Sequence, residues 1–228
     1  MVRGETANHL GRVLRAERGQ LYELSDGESV WLARVADVQL KKRGDSEIEF
    51  ALIEPVAVRA PRVAIQLLVA VVKFDRFEWC LEKATELGVA EIVPVAAVYS
   101  DKALVAAAQN RRTRWEKILV ESAQQARLLR PPKLYDAVRA AAAFQATNAQ
   151  ARILLSERPD AKPFREIFKP LENINSAVLA IGPEGGWTEE EFAAAAKANF
   201  REASLGESIL RTETAVIAGT SVIRLLLG

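Results

Sequence analysis

LAIGPEGGWTEEEF, residues Leu179 to Phe192, is an apolar run that breaks into Gly182-Pro183-Glu184-Gly185-Gly186 and restarts with a helix signal. Thr188 with Glu191 three residues later has the spacing of a capping box, so a helix is expected from about Glu189 to Ala198. Strand, glycine loop and helix in that order put the loop at the carboxyl end of a strand, the edge where open parallel sheets hold ligands. This loop does not suit a polyphosphate. A P-loop would continue into Lys and Ser or Thr, where this chain has Trp187 and Thr188, and the G-x-G-x-x-G fingerprint is absent. Glu184 would also repel phosphate. Two readings stay open at this point: a tight strand-to-helix turn with no ligand, or a neutral or cationic ligand held by exposed backbone groups. S-adenosylmethionine, an adenine with a cationic sulfonium and no phosphate, meets the second description.

Working outward, LGESILRTETA (Leu205 to Ala215) is a second loop that leaves a strand, REASLG, and enters a helix expected from about Thr214 to Leu226. Val216, Ile217, Ile223, Leu225 and Leu226 lie all around that helix, which points to burial in a core or a subunit interface. VAIQLLVAVV (63–72) reads as a strand covered on both faces. Asp75 with Glu78 marks a helix start, Phe77, Leu81, Ala84 and Leu87 form its apolar face, and Gly88 closes it. EIVPVAAVYS is the next strand, followed by a helix over 111–126 with Trp115 and Leu119 inward. ARILLSE (151–157) and SAVLAIG (176–182) complete an α/β domain with a largely parallel sheet. Residues 10–60 differ in style. Short strands around the hairpin signal Ser25-Asp26-Gly27-Glu28 suggest a small all-β unit, ending near the prolines of EPVAVRAPR. The expected division is 1–60 and 61–228.

The chain has 228 residues, 31 basic and 30 acidic, so no global field draws it to nucleic acid. Lys102 to Arg139 nevertheless carries +6. That segment is either a solvated helix surface or a phosphate-binding stripe. A single cysteine, Cys80, and a single histidine, His9, exclude disulfide frameworks, thiolate or histidine metal clusters and a Ser-His-Asp triad. The first residues lack a signal-peptide core and the apolar stretches are too short to span a bilayer, which points to the cytoplasm.

GPEGG-W-T-x-x-E followed by LG-x-x-ILRTETA resembles the paired motifs of the ribosomal RNA small subunit methyltransferase E family, SPOUT-type enzymes that methylate N3 of a uridine in 16S ribosomal RNA. KFDRFEWCLEKATELGVAEIVPV, RWEKILVESAQQARLLRPPKL and HLGRVLRAERG agree with it as well, so the resemblance covers nearly the whole chain. It implies a PUA-like β-barrel that binds RNA, a trefoil-knotted α/β domain, a homodimer packed through the knotted domains, and S-adenosylmethionine as cofactor. Carried over by motif, Gly182, Glu184, Gly185 and Gly186 form one wall of the cofactor site, and Leu205, Gly206, Ile209, Leu210, Thr212 and Ala215 the other. Leu155, with Ser156, belongs to the end of the first knot strand. The chain departs from the family in lacking the strand that usually precedes HL-x-x-VLR, in carrying Asn8-His9 for paired histidines, and in reading Gln124-Gln125-Ala126-Arg127 for E-Q-[SC]-[GN]-R.

The implied reaction needs a deprotonated uracil N3, a weakly acidic imide. Arg211, inside the second loop, is the candidate to stabilise the uridinate or its phosphate, against an ion pair that shapes the loop. Glu184 and Glu213 are each candidates for base, sulfonium partner or loop brace. Arg12, Arg15, Arg111, Arg112, Arg114, Arg127, Arg130 and Lys133 are expected to contact RNA phosphates. Trp187 reads as a base-stacking or a core residue, Trp31, Trp79 and Trp115 as core, Cys80 as an inert buried thiol, and His9 as a structural contact. Two rivals remain: a non-catalytic RNA-binding ribosome-assembly factor on the same fold, and a small-molecule methyltransferase.

Overall fold

The structure is a computed structural model and describes residues 1–41, 46–57, 61–168 and 174–227. Two compact units emerge, Met1–Ala60 and Pro61–Gly228. Residues 58–60, at the expected boundary, lie outside the described residues.

The first unit runs β1 (Val2–Arg3), α1 (Gly4–Asn8), one π-helical turn (His9–Val13), β2 (Leu21–Ser25), β3 (Val30–Gln39) and β4 (Glu47–Val56). The hairpin forms where expected. Asp26 Oδ1 accepts the N–H groups of Glu28 and Ser29 at 2.8 and 2.7 Å, and these bonds hold its carboxyl below the usual range. Among the described residues the sheet is antiparallel in the order β1-β4-β3-β2, a curled half-barrel with β1 and β2 as edges. Register shifts in β3, between Leu32 and Ala33 and between Val35 and Asp37, supply bulges of the kind that bend a sheet. Ala7, Ala16, Val35 and Ile48 fill the concave face. A two-residue strand, β1, does precede HL-x-x-VLR, and its Val2 pairs with Ile48. His9 is exposed.

The second unit continues with β5 (Ala64–Ala70), α2 (Phe74–Glu86), β6 (Glu91–Ala96), α3 (Lys102–Gln125), β7 (Lys133–Leu134), β8 (Val138–Arg139) and α4 (Ala140–Ala146). Then come β9 (Ala151–Leu155), β10 (Lys162–Pro163), α5 (Phe164–Phe168), β11 (Ser176–Ile181), α6 (Glu189–Lys197), β12 (Arg201–Ser204) and α7 (Thr212–Leu227). Among the described residues every pairing in this sheet is parallel, in the order β10-β12-β9-β11-β5-β6-β7 with β8 beside β6. Alternation along the strands builds two cores. Ile65, Leu67, Ile153 and Leu179 pack with Phe77 of α2, Trp115 of α3 and Val216 of α7. Leu68, Leu154 and Val178 pack on the other face with Phe144 of α4 and Ala195 of α6.

Several expectations need correction. Helix α2 starts at Phe74 after Lys73, so Asp75 lies in its first turn, where the helix dipole favours a carboxylate, and is not its cap. Helix α3 begins nine residues before 111, at Lys102, because Asp101 accepts the N–H groups of Ala103 and Leu104 and the alanine-rich stretch after it is helix-prone. Helix α7 enters the core with Val216 and Ile223, while Leu225 is 83% and Leu226 45% exposed on the single chain, which leaves the subunit-interface half of that expectation open. Trp79 is 47% exposed and so is no core residue, lying on the outer face of α2 opposite Phe77 and Leu81. The capping box at Thr188 forms with both of its bonds, Glu191 N–H to Thr188 Oγ1 at 3.3 Å and Thr188 N–H to Glu191 Oε2 at 2.9 Å.

Candidate active site

Because all strands run the same way, the loops that follow β9, β11 and β12 emerge at one edge, and there they enclose a cavity of about 220 Å³. Gly182, Gly185 and Gly186 line one side, Leu205, Gly206 and Leu210 the other. Leu155 closes the β9 end, and Thr212 and Ala215 present the start of α7. One hydrogen bond joins the two loops: Thr212 Oγ1 donates to the carbonyl of Gly182 at 3.0 Å. Gly186 has φ +70°, a conformation that disfavours a side chain, and a Cβ on Gly185 would meet Cβ of Tyr99 at 3.0 Å.

Trp187 is a brace. It is 7% exposed, its indole N–H donates to the carbonyl of Leu155 at 3.2 Å, and its ring meets Phe144 edge-on at 5.5 Å. This bond ties the first loop to the end of β9 and removes Trp187 from base stacking. The exposed aromatic beside the loop is Tyr99, 58% exposed.

Two expected cofactor residues do not line the cavity. Ile209 is 74% exposed, and Glu184 turns outward to Arg76, whose Nη1 donates to its Oε1 at 2.5 Å. Arg211 is exposed, and among the described residues its side chain makes no hydrogen bond or ion pair; its carbonyl accepts the N–H of Ala215 at 2.9 Å, the first backbone bond of α7. Sequence reasoning missed Glu157, Arg158, Glu189 and Phe192, which also line the cavity. Arg158 lies over the Phe192 ring, 4.6 Å from its centroid, and 3.6 Å from Glu189. The signal for Glu157 and Arg158 was available, since they directly follow a buried strand at the ligand edge. Apolar Leu155, Ile181 and Ala215 beside the carboxylate of Glu157, with Glu189 paired to Arg158, fit a ligand with an apolar part and a positive charge. S-adenosylmethionine answers that description.

The expected phosphate contacts are unevenly free. Arg112 pairs with Glu116 at 2.9 Å and Asp136 at 2.5 Å, and Arg114 with Glu78 at 2.7 Å, which pushes the Arg114 guanidinium up. Arg111 lies over Phe74, Lys133 over Tyr135, and Arg12 donates to the carbonyl of Lys41. Arg127 and Arg15 both have φ +52°. Arg15 and Arg130 are exposed and unpaired among the described residues. No group of three metal-ligating side chains occurs among the described residues, and no described helix is long and apolar enough to cross a membrane.

The RNA methyltransferase domain family matches residues 59–224. A ribosomal RNA small subunit methyltransferase E from Synechocystis sp. is 29% identical over 223 residues, 96% of this chain and 71% of that protein. Its counterpart from Mesomycoplasma hyopneumoniae is 34% identical over 158 residues, 69% of this chain and 67% of that one. The crystal structure of a ribosomal RNA small subunit methyltransferase E from Neisseria gonorrhoeae bound to S-adenosyl methionine superposes with a TM-score of 0.85 at 27% identity, covering 100% of this chain and 92% of that one. By the reach of these matches over both units and both glycine loops, the chain belongs to the ribosomal RNA small subunit methyltransferase E family.

Proposed function

We propose that this protein methylates N3 of a uridine in 16S ribosomal RNA of the small (30S) subunit, using S-adenosylmethionine, as a cytoplasmic homodimer. The observation that carries the reading is the Thr212–Gly182 hydrogen bond, which closes both glycine loops around one cavity of mixed apolar and charged character. A pure RNA-binding assembly factor has no use for such a cavity, so the catalytic reading is favoured over it. When bound, the cofactor supplies a methyl group on a sulfonium, ready for in-line displacement.

The residues divide the remaining work. The backbone of Gly182, Gly185 and Gly206 and the side chains of Leu155, Leu205 and Leu210 hold and orient the ligand, so that positioning supplies much of the rate. Arg211 reaches solvent from between Leu210 and Thr212, where its guanidinium can stabilise the uracil anion. Glu184, held by Arg76, serves as loop brace. RNA phosphates are taken by Arg111 and Arg130 on the larger unit and by Arg15 on the smaller, while the target base is drawn out of its stack. The strand order β12-β9-β11-β5, in which the chain returns past β9 after β11, is compatible with the trefoil knot.

Calorimetric titration with S-adenosylmethionine, followed by methyl transfer to 30S subunits, tests the proposal. Wild type should bind, and Gly185→Val should bind about tenfold or more weakly, since its side chain displaces Tyr99 or the loop. A folded wild type that neither binds the cofactor nor methylates 30S subunits would return the choice to the assembly factor.

A further inference from the structure

The first turn of α2 brings Arg76 to both glycine loops. Its Nη1 donates to Glu184 of the first loop at 2.5 Å, and its Nε lies 4.0 Å from Oε1 of Glu213, the residue after Thr212. Glu213 is only 5% exposed, and its Oε2 has no hydrogen-bond partner among the described residues. A buried carboxylate in that situation depends on the cation beside it. Neither Arg76 nor the two glutamates line the cavity, so this contact is separate from the ligand surface. The loops are therefore joined twice: by the neutral Thr212–Gly182 bond at the cavity wall, and ionically by a side chain from a third element.

We infer that Arg76 is a positioning residue of the cofactor site, holding the Glu184 loop and the start of α7 at the spacing the cofactor requires. The inference rests on the proposed function. Arg76 is a poor candidate for a phosphate contact, because its side chain is 29% exposed and committed to two carboxylates. Its effect on catalysis passes through the loops and not through contact with substrate. Removing it releases Glu184 and leaves Glu213 buried without a counter-charge.

Titration of S-adenosylmethionine into wild type, Arg76→Ala, Arg76→Lys and the double variant Arg76→Ala/Glu213→Gln provides the test, with KM for 30S subunits measured in parallel. The clamp requires a cofactor dissociation constant about tenfold or more higher in Arg76→Ala, partial recovery in Arg76→Lys, and a KM for 30S subunits within about twofold of wild type. Should Arg76→Ala fail to fold, the lysine variant and the double variant, which lacks the stranded carboxylate, carry the comparison. Unchanged cofactor affinity in the folded variants overturns the clamp, as does a loss confined to the KM for 30S subunits, which marks an RNA contact. Wild type that binds no cofactor overturns the proposed function and the clamp with it; wild type and variants that bind alike overturn the clamp alone.

Discussion

Arg211 stands between Leu210, which lines the cavity, and Thr212, which ties the loops, yet its own side chain is exposed and unpaired among the described residues. That favours a role toward substrate over an ion pair that shapes the loop. Arg211→Ala should lower kcat for 30S methylation by about 10²-fold, the size expected for one lost electrostatic stabiliser, and leave cofactor affinity within about twofold. A loop-shaping role would instead weaken cofactor binding, so calorimetry beside single-turnover rates separates the two. Cys80 offers no competing chemistry. Burial, and secondarily the charge of Glu213, push its thiol up to about 12, so it is protonated at neutral pH. Trp187 shows why a residue's type was legible and its role was not. An aromatic after a glycine loop suits stacking and bracing equally, and only the bond to Leu155, 32 residues away, decides between them.

Helices α2, α3 and α6 end alike. Gly88, Arg127 and Asn199 each take a left-handed φ, +72°, +52° and +60°, and the following N–H reaches back to close the turn: Val89 to Ala84, Leu128 to Ala123, Phe200 to Ala195. Only Gly88 announced this in the sequence, because glycine is the usual residue there and arginine is not. Strand positions were legible, since runs such as Leu67–Val72 are apolar on both faces, and so was the Thr188 cap, a purely local pattern. The start of α3 was not, because Lys102 to Asn110, with four alanines in nine residues, shows little apolar period. Nor was the device that completes the end of α2. Arg224 of α7 donates to the carbonyls of Leu87 at 2.9 Å, Val63 at 2.6 Å and Gly88, a convergence of residues more than 130 positions apart, and partial burial lowers its affinity for the proton. Arg224→Met should keep the apolar stem and strand three carbonyls. The expected cost is about 2–3 kcal/mol, read as a lower urea midpoint with an unchanged m value.

At the scale of the molecule, the +6 segment from Lys102 to Arg139 was visible as composition, but its internal pairing was not. Glu78, Glu116 and Asp136 hold Arg112 and Arg114, so the segment presents scattered cations and not one stripe. The strand order was equally hidden, because which strands neighbour each other depends on long-range pairing that spacing does not record. What the sequence did show is an excess of apolar residues on α7 beyond what one chain can cover. Val216 and Ile223 enter the core, while Leu225 and Leu226 stay exposed. Burying a leucine side chain contributes about 1.5–3 kcal/mol, and a two-fold axis counts every such residue twice, which makes this end of α7 the natural contact of the proposed homodimer. Leu225→Glu/Leu226→Glu should therefore shift the mass seen by light scattering from dimer to monomer, with the helical content of the wild type retained. A dimer that survives both charges would place the interface on another face.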